Sequence, residues 1–304
     1  MSKDNSFITL NLGIIPNLII SFRYFVFSIV VIFSVIGITY SLSIPNSYKS
    51  EVLLSVVSQK SPASSGLAGI SGLPGVSSLL GGGAADANIE EAVEILNSQL
   101  FLYAFIEKYG LDKFIIAGED FEANSIIFNK KYISNNGEWV EGFKPSTETV
   151  FREFNTHHLD IKEDIDRGFV TISVEYLSPI LSHDWVSKMV VDINNTLKER
   201  DVKKAEASIS FLEDKLNKTS NSGITQVFSS LLQEQYKTVM LANSSDEYFF
   251  SIIDPPFISE YKSSPSRSII CIFFFFSGFL LALILIILKE PLNLNIKNSI
   301  FLIR

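Results

Sequence analysis

The sequence predicts an α+β membrane protein, in which two transmembrane helices flank a periplasmic α/β domain with a projecting long-helix arm. Only 19% of the 304 residues are charged while 47% are apolar, and a mean hydropathy of +0.27 is unusual for a soluble protein. The apolar excess is concentrated in one run near each end of the chain. Between the runs, strand-like and helix-like periodicities alternate, and one helical stretch is longer than a core of this size needs.

The two apolar runs are predicted to be membrane spans at residues 24–42 and 268–288. Neither contains a charged residue, and as helices they would be roughly 30 Å long, which matches the hydrocarbon thickness of a bilayer. A cleaved signal peptide is the alternative for the first run, but the run exceeds a usual signal core and no A-x-A-like site follows it. A buried core helix is the alternative for the second, and the four phenylalanines Phe273–Phe276 argue against it.

The charges at the two ends predict the orientation in the membrane. The tails 1–23 and 289–304 carry five basic and two acidic residues, a net charge of +3, whereas the rest of the chain carries 20 basic and 31 acidic residues, a net charge of −11. Because basic residues favour the cytoplasmic side, we expect both tails in the cytoplasm and residues 43–267 in the periplasm. The overall charge of −8 argues against nucleic-acid binding.

The first elements after the first span are a strand, a loop and a helix. Residues 48–58 are rich in β-branched side chains and predict a strand. Residues 61–87 contain seven of the 16 glycines, and no Gly-Lys-Ser/Thr follows them, so this Gly/Ser-rich segment is interpreted as a loop rather than a nucleotide site; a contact with a subunit or with lipid is the alternative. Residues 88–109 carry apolar side chains at helical spacing, and Gly110 ends that helix.

The second half of the domain predicts a hairpin and a helical arm. Residues 159–164 and 169–176 form two strands joined through a turn. One long helix is predicted from Ser182, its expected cap, to Lys218. Its apolar face is interrupted by the charged stretch 198–204, where we expect the helix to leave the core. A second helix packs against it, so that 182–243 forms the arm, and a strand then leads to Asp254.

Two pairs of small residues predict close approach of the span helices. Gly37 and Ser41 are four residues apart in the first span, and Gly278 and Ala282 are four apart in the second. Small side chains at this spacing allow two helix backbones to pack closely. We therefore expect these four residues to be helix contacts in the membrane.

No motif in the sequence predicts catalysis, a cofactor or a bound metal. The patterns H-E-x-x-H, G-x-S-x-G and the EF-hand loop are absent,. Adjacent residues point in different directions, so His157 and His158 are expected to be surface histidines. Asp164-x-Asp166 matches the D-x-D of sugar-nucleotide enzymes, but it falls in a hairpin turn outside the cytoplasm. The single cysteine, Cys271, lies in a span and is interpreted as apolar filler.

The order of these elements resembles that of the polysaccharide co-polymerases, or Wzz-type chain-length determinants. The resemblance covers nearly the whole chain: both spans, the strand from Tyr48, the glycine-rich loop and the helix NIEEAVEILNSQLFLYAFIEKYGL after it. It continues through the hairpin DIKEDIDRGFVTISVEY, the helix with AEASISFLEDKL and the segment 253–256 (IDPP) before the last span. Gly278 within the last span fits the same pattern.

The resemblance implies a base domain near the membrane, a long helix reaching into the periplasm and a ring-like homo-oligomer. It implies a non-enzymatic inner-membrane regulator of the chain length of O-antigen in lipopolysaccharide, or of a related exopolysaccharide. Its partners would be a membrane polymerase and the lipid-linked polysaccharide. The second span and the segment containing Asp254, Pro255, Pro256 and Pro265 are the expected polymerase contacts. The arm is shorter than in typical O-antigen regulators, which leaves the polymer class open.

An adaptor for a separate cytoplasmic tyrosine kinase, acting in capsule or exopolysaccharide export, is the alternative function. Some relatives carry such a kinase after the last span. Here residues 289–304 are too few for a kinase fold and contain no Walker motif. The kinase would therefore be a separate partner of this tail.

Overall fold

A computed structural model describes residues 23–57, 84–122, 125–165, 167–218 and 222–301. The chain divides into two compact units. The spanning unit comprises the described residues up to Pro45 and those from Ser264 onward, and the middle unit is Asn46–Ser263. Most of the predicted glycine-rich loop, residues 61–83, lies outside the described residues.

The spanning unit consists of two long apolar helices, α1 (Arg23–Ser43) and α8 (Arg267–Phe301). Their most apolar windows have mean hydropathies of 2.3 and 3.0, and only 22% and 17% of these windows are buried within the chain. Both helices are thus long and apolar enough to cross a membrane, as predicted. Helix α8 continues to Phe301, beyond residue 288, where the membrane span is predicted to end.

The middle unit is built on a four-stranded antiparallel sheet in the order β4-β5-β1-β6. Its strands are β1 (Tyr48–Val56), β4 (Leu159–Asp164), β5 (Phe169–Tyr176) and β6 (Phe250–Asp254). Tyr48 of β1 lies opposite Tyr176 of β5, and this register continues to Ser55 opposite Phe169. The predicted hairpin and the strand after the first span are therefore confirmed. A separate two-stranded sheet pairs β2 (Gly118–Glu122) with β3 (Ser125–Phe128).

The core of the middle unit lies between one face of this sheet and the helices. Alternating side chains of the two central strands are completely buried, as expected for a sheet with one covered face: Val52, Leu54, Val170, Ile172 and Val174. Trp185 packs on Tyr176 at a ring-centroid distance of 4.5 Å. This arrangement places the apolar face of the longest helix directly on the sheet.

The helical segment after the glycine-rich region differs from the prediction of one helix over 88–109. It forms two helices, α2 (Ala84–Asn97) and α3 (Gln99–Tyr109), and residues 84–87 belong to α2 rather than to the predicted loop. The break occurs at Ser98, whose hydroxyl accepts a hydrogen bond from Phe101 N at 3.2 Å and so acts as an N-cap,. Gly110 ends α3 with φ of 61°, as predicted.

Short helices and the two-stranded sheet of β2 and β3 connect α3 to the hairpin of β4 and β5. Helix α4 (Asp112–Ala117) precedes β2, and helix α5 (Thr147–Glu153) is followed by a π-helical turn, Phe154–His158. Ser146 caps α5, because its hydroxyl accepts a hydrogen bond from Thr149 N. The π-turn leads directly into Leu159, the first residue of β4.

The predicted arm is a helical hairpin formed by α6 (Pro179–Lys218) and α7 (Ser222–Ser244). Helix α6 begins before the predicted cap: Ser178 accepts a hydrogen bond from Leu181 N, whereas Ser182 is buried in the first turn. The last α6 residue in the main core is Leu197. At about 1.5 Å per residue, the 21 residues from there to Lys218 extend roughly 30 Å further, so the second half of α6 is paired with α7 rather than with the sheet.

Candidate functional site

The described part of the chain presents interaction surfaces rather than a catalytic cleft. Within the described ranges no group of three or more His, Cys, Asp or Glu side chains could hold a metal ion. The Tyr176 hydroxyl is buried and donates to Phe114 O at 2.7 Å, and burial raises its pKa, so it is unsuited to act as a base at neutral pH. The candidate surfaces are the span pair, the segment before α8 and the arm.

The two spans of one chain contact each other through their glycines. A Cβ atom added to Gly37 would lie 2.7 Å from Phe274 Cβ, and one added to Gly278 would lie 2.7 Å from Phe33 Cβ. Such distances are too short for any side chain, so each glycine provides the space that a phenylalanine of the other helix fills. The predicted contact between the spans is present, and it pairs small residues with large ones.

Ser41 and Ala282, the other two small residues, are also buried in the spanning unit. Ser41 is 2% exposed and Ala282 is fully buried. Ala282 belongs to a small cluster with Val26 and Ile286. All four small residues are thus covered by their own chain, and their predicted role as contacts with another copy or with a polymerase stays a prediction.

The segment from Asp254 to Pro265 leaves the sheet and leads toward α8. Asp254 and Pro255 are exposed, whereas Pro256 and Pro265 are partly buried. Two hydrogen bonds fix the backbone between them: Ser50 Oγ donates to Phe257 O at 3.0 Å, and Ser263 N donates to Ser47 O at 2.8 Å. The segment therefore has a defined path although it contains neither helix nor strand.

The arm exposes an apolar surface along both of its helices. Exposed apolar side chains recur along α7: Ile224, Val227, Leu231 and Met240. On α6, Phe211 is 59% exposed. A shallow groove of about 430 Å³ lies between the helices, lined by Ala207, Ser208, Phe211, Leu212, Leu231 and Gln235. Exposed apolar surface of this kind is typical of protein contacts.

Asn194 joins the arm helix to the sheet, and sequence analysis did not identify it. Its Oδ1 accepts hydrogen bonds from Phe249 N at 3.0 Å and Phe250 N at 2.8 Å, and its Nδ2 donates to Phe250 O at 3.0 Å. The side chain is 3% exposed. The one signal in the sequence is a polar residue directly after Ile193 on an apolar helix face, but its partners are more than 50 residues away.

A polar network surrounds α6 where it leaves the core. Arg200 Nη1 donates to Glu91 Oε1 at 2.8 Å, and Arg200 Nε donates to Asp201 Oδ1 at 3.2 Å. Tyr248, which is only 4% exposed, donates its hydroxyl proton to Asp201 Oδ2 at 3.1 Å. The charged stretch predicted as the exit point of the helix is therefore held between α2 and the chain that enters β6.

A second charged contact holds α3 against the first half of α6. Lys108 Nζ donates to Asp192 Oδ1 at 2.7 Å, and the Tyr109 hydroxyl donates to the same oxygen at 3.3 Å. The hydrogen bond to Asp192 raises the pKa of Lys108. Because the lysine side chain is exposed, this contact orients the helices more than it stabilises them.

The two adjacent histidines have different environments, so the prediction of two surface histidines is wrong for one of them. His157 is exposed, whereas His158 is partly buried between the rings of Phe154 and Tyr176. Its Nδ1 lies 2.8 Å from Glu175 O, and because a carbonyl oxygen only accepts, Nδ1 carries the proton. Burial lowers the pKa of His158 below 6.5.

His158 is expected to make the middle unit less stable at acid pH. The unfolded chain takes up a proton on this imidazole as the pH falls below 6.5, whereas the folded chain resists protonation until a lower pH, so the free energy of unfolding falls with pH in this window and is constant above it. Glu153 and Glu175 oppose the shift and His157 reinforces it. The free energy of unfolding, measured at several pH values, should depend less on pH just below 6.5 in His158→Gln than in the unchanged chain. His157→Gln should leave this dependence unchanged.

Comparison with known proteins finds one family model that matches the N-terminal third of the chain. Residues 9–109 match the family model described as Wzz, chain length determinant protein. The match begins at residue 9, ahead of the first span, ends with the last residue of α3 and supports the resemblance to Wzz-type chain-length determinants. No curated protein gives a significant match to the sequence.

Two solved structures are similar to the chain over much of its length. A full-length bacterial polysaccharide co-polymerase is 10% identical with a TM-score of 0.37, covering 94% of this chain and 98% of its own. A fragment of WzzB, a polysaccharide co-polymerase from Salmonella Typhimurium, is 10% identical with a TM-score of 0.27, covering 72% of this chain and 100% of its own. Scores this low carry no argument about the function of this chain.

Proposed function

We propose that this chain, whose N-terminal third matches Wzz-type chain-length determinants, is a non-enzymatic regulator of surface-polysaccharide chain length in the bacterial inner membrane. The family match over residues 9–109 is the observation that carries the proposal. Two helices able to cross a bilayer support the membrane location, and the net charge of +3 on the tails supports cytoplasmic termini and a periplasmic middle unit. The polymer is O-antigen or a related exopolysaccharide.

Control of chain length requires a shaped surface rather than a nucleophile. A scaffold beside the polymerase changes the probability that a growing, lipid-linked chain is extended rather than released. The spans would hold this scaffold in the membrane, and the sheet with its packed helices supplies a rigid base. Exposed apolar side chains on the arm, such as Val227 at 56% and Phe211 at 59%, support packing between copies in a ring-like homo-oligomer.

The proposal places the polymerase against α8 and the segment Asp254–Pro265. Large apolar side chains on the outer face of α8 remain exposed, among them Phe273 at 69% and Phe276 at 62%. Because Gly278 and Ala282 are covered by α1, this outer face rather than the small residues is open to a polymerase or to a second copy. Exposure of Asp254 and Pro255 supports a contact at the start of the segment.

Deletion of the gene is expected to abolish the preferred length of the surface polysaccharide. Without a regulator, each added unit has the same probability of being the last, so the abundance of chains should fall steadily with length. Gel electrophoresis of the polysaccharide from the deletion strain, and from the same strain complemented with the chain, measures this. An unchanged length distribution contradicts the proposal. If polymer export and tyrosine phosphorylation fall instead, the adaptor alternative is favoured.

A further inference from the structure

Three large apolar side chains are exposed close together in the segment before α8. Phe257 is 56% exposed, Ile258 is 52% exposed and Tyr261 is 82% exposed. The segment has no helix or strand periodicity that would explain them, and the core of the middle unit does not include them. A cluster of this kind on an ordered backbone indicates a contact with something outside the chain.

The hydrogen bonds of the segment keep it near the points where the chain meets the membrane. Ser263 N donates to Ser47 O at 2.8 Å. Ser47 lies four residues after the end of α1 at Ser43, and Ser263 lies four residues before the start of α8 at Arg267. Since an extended chain advances at most about 3.4 Å per residue, both serines lie within roughly 14 Å of a span helix end.

The exposed cluster is anchored to the same part of the sheet. Ser50, a fully buried residue three positions after Ser47, donates its hydroxyl proton to Phe257 O. Phe257 and Ser263 are thus both fixed to the membrane-proximal end of β1, with Ile258 and Tyr261 between them. Helix α6 offers a contrast, because the exposed Val191 lies 12 residues into it, about 18 Å along its axis.

We propose that Phe257, Ile258 and Tyr261 insert into the boundary between headgroups and acyl chains of the leaflet that faces the middle unit. Phenylalanine and isoleucine bury apolar surface there, and tyrosine is suited to the interface because its ring is apolar and its hydroxyl stays hydrated. The irregular backbone needs hydrogen-bond partners, so only the side chains enter the hydrocarbon. The exposed Glu260 and Lys262 lie among the headgroups.

This insertion gives the middle unit a third attachment to the bilayer besides the two spans. The two connections at Pro45 and Ser264 would by themselves leave the unit able to tilt on the membrane. Side chains held in the interface restrict that tilt, so that the direction of the arm relative to the membrane plane becomes defined. The inference depends on the membrane spans and is independent of the proposed role in polysaccharide length.

Nitroxide labels on the full-length chain test the insertion directly. Cys271, the single cysteine, is replaced by alanine, and Phe257→Cys, Ile258→Cys and Tyr261→Cys are labelled one at a time in vesicles of phosphatidylethanolamine and phosphatidylglycerol. Each label is expected to collide more with dissolved oxygen, which partitions into lipid, than with a water-soluble nickel chelate. Val191→Cys is the matched control, an apolar side chain of α6 that is 57% exposed and belongs to no proposed contact, and it should show the reverse.

Two results would overturn the inference. Labels at 257, 258 and 261 that resemble the label at 191 would show that the cluster faces water. Labels shielded from both oxygen and nickel would show that protein covers the cluster, and in vesicles containing only this chain the covering protein is a second copy. Neither result involves polysaccharide synthesis, so a failure here is distinct from a failure of the proposed function.

Discussion

Replacing Asn194 by aspartate is expected to lower the free energy of unfolding of the middle unit by about 3 kcal/mol. The carboxylate can still accept the hydrogen bonds from Phe249 N and Phe250 N, but it cannot donate to Phe250 O as the amide does. A buried negative charge would then face a carbonyl oxygen that has lost its partner. Both effects act at a site that is only 3% exposed, where water cannot compensate.

Asn195→Asp provides the matched control for this prediction. Asn195 is the next residue of α6 and is exposed, so the same change in charge occurs on the same helix without burial. Unfolding of the full chain in detergent micelles can be followed by the fluorescence of Trp185, which is 1% exposed in the core. Equal stabilities of the two variants would show that the Asn194 bonds are not what holds β6 to α6.

The elements that sequence analysis predicted well are those whose cause is local. The spans follow from uninterrupted apolar runs. The strand from Phe169 to Tyr176 follows from apolar residues at every second position from 170 to 176, all of which are buried in the structure. The bend at Ser98 was missed because serine is compatible with the interior of a helix, and only its hydrogen bond to Phe101 N shows that it acts as a cap.

The features that sequence analysis missed depend on partners distant along the chain. His158 was predicted at the surface, but Tyr176 and Glu175 of the neighbouring strand enclose it. Similarly, the spacing of Gly37 and Ser41 indicated a close helix contact, whereas nothing in that spacing identifies Phe274 as the residue that fills the space. The spacing along one helix shows which face carries small side chains. The residues that pack against that face are known only from the fold.

Replacing Gly278 by leucine is expected to separate the spans near Phe33. The new Cβ would lie 2.7 Å from Phe33 Cβ and 3.5 Å from Val30 Cα, and a helix backbone cannot yield locally to such overlap. Overpacking of this kind costs on the order of 2 kcal/mol, about a thirtyfold loss in the population of paired spans. Leucine favours helix more than glycine does, so loss of pairing would not reflect loss of the helix itself.

Disulfide formation between cysteines at positions 26 and 282 measures this pairing. Val26 and Ala282 belong to the same buried cluster, so Val26→Cys and Ala282→Cys in a chain with Cys271→Ala should crosslink readily. Gly278→Leu should slow this crosslinking strongly, whereas Ser28→Leu, which adds the same side chain at an exposed position of α1, should not. Unchanged crosslinking in Gly278→Leu would show that the spans do not depend on the glycine contact.

The oligomer size of the same variant separates the two roles considered for the small residues. If Gly278 serves only to pair the spans of one chain, Gly278→Leu should reduce the crosslink between 26 and 282 while copies still assemble to the normal size. If it also contacts a neighbouring copy, the assembly should become smaller in the same preparation. The first result is expected, because α1 already covers Gly278 and only the outer faces of the spans remain exposed.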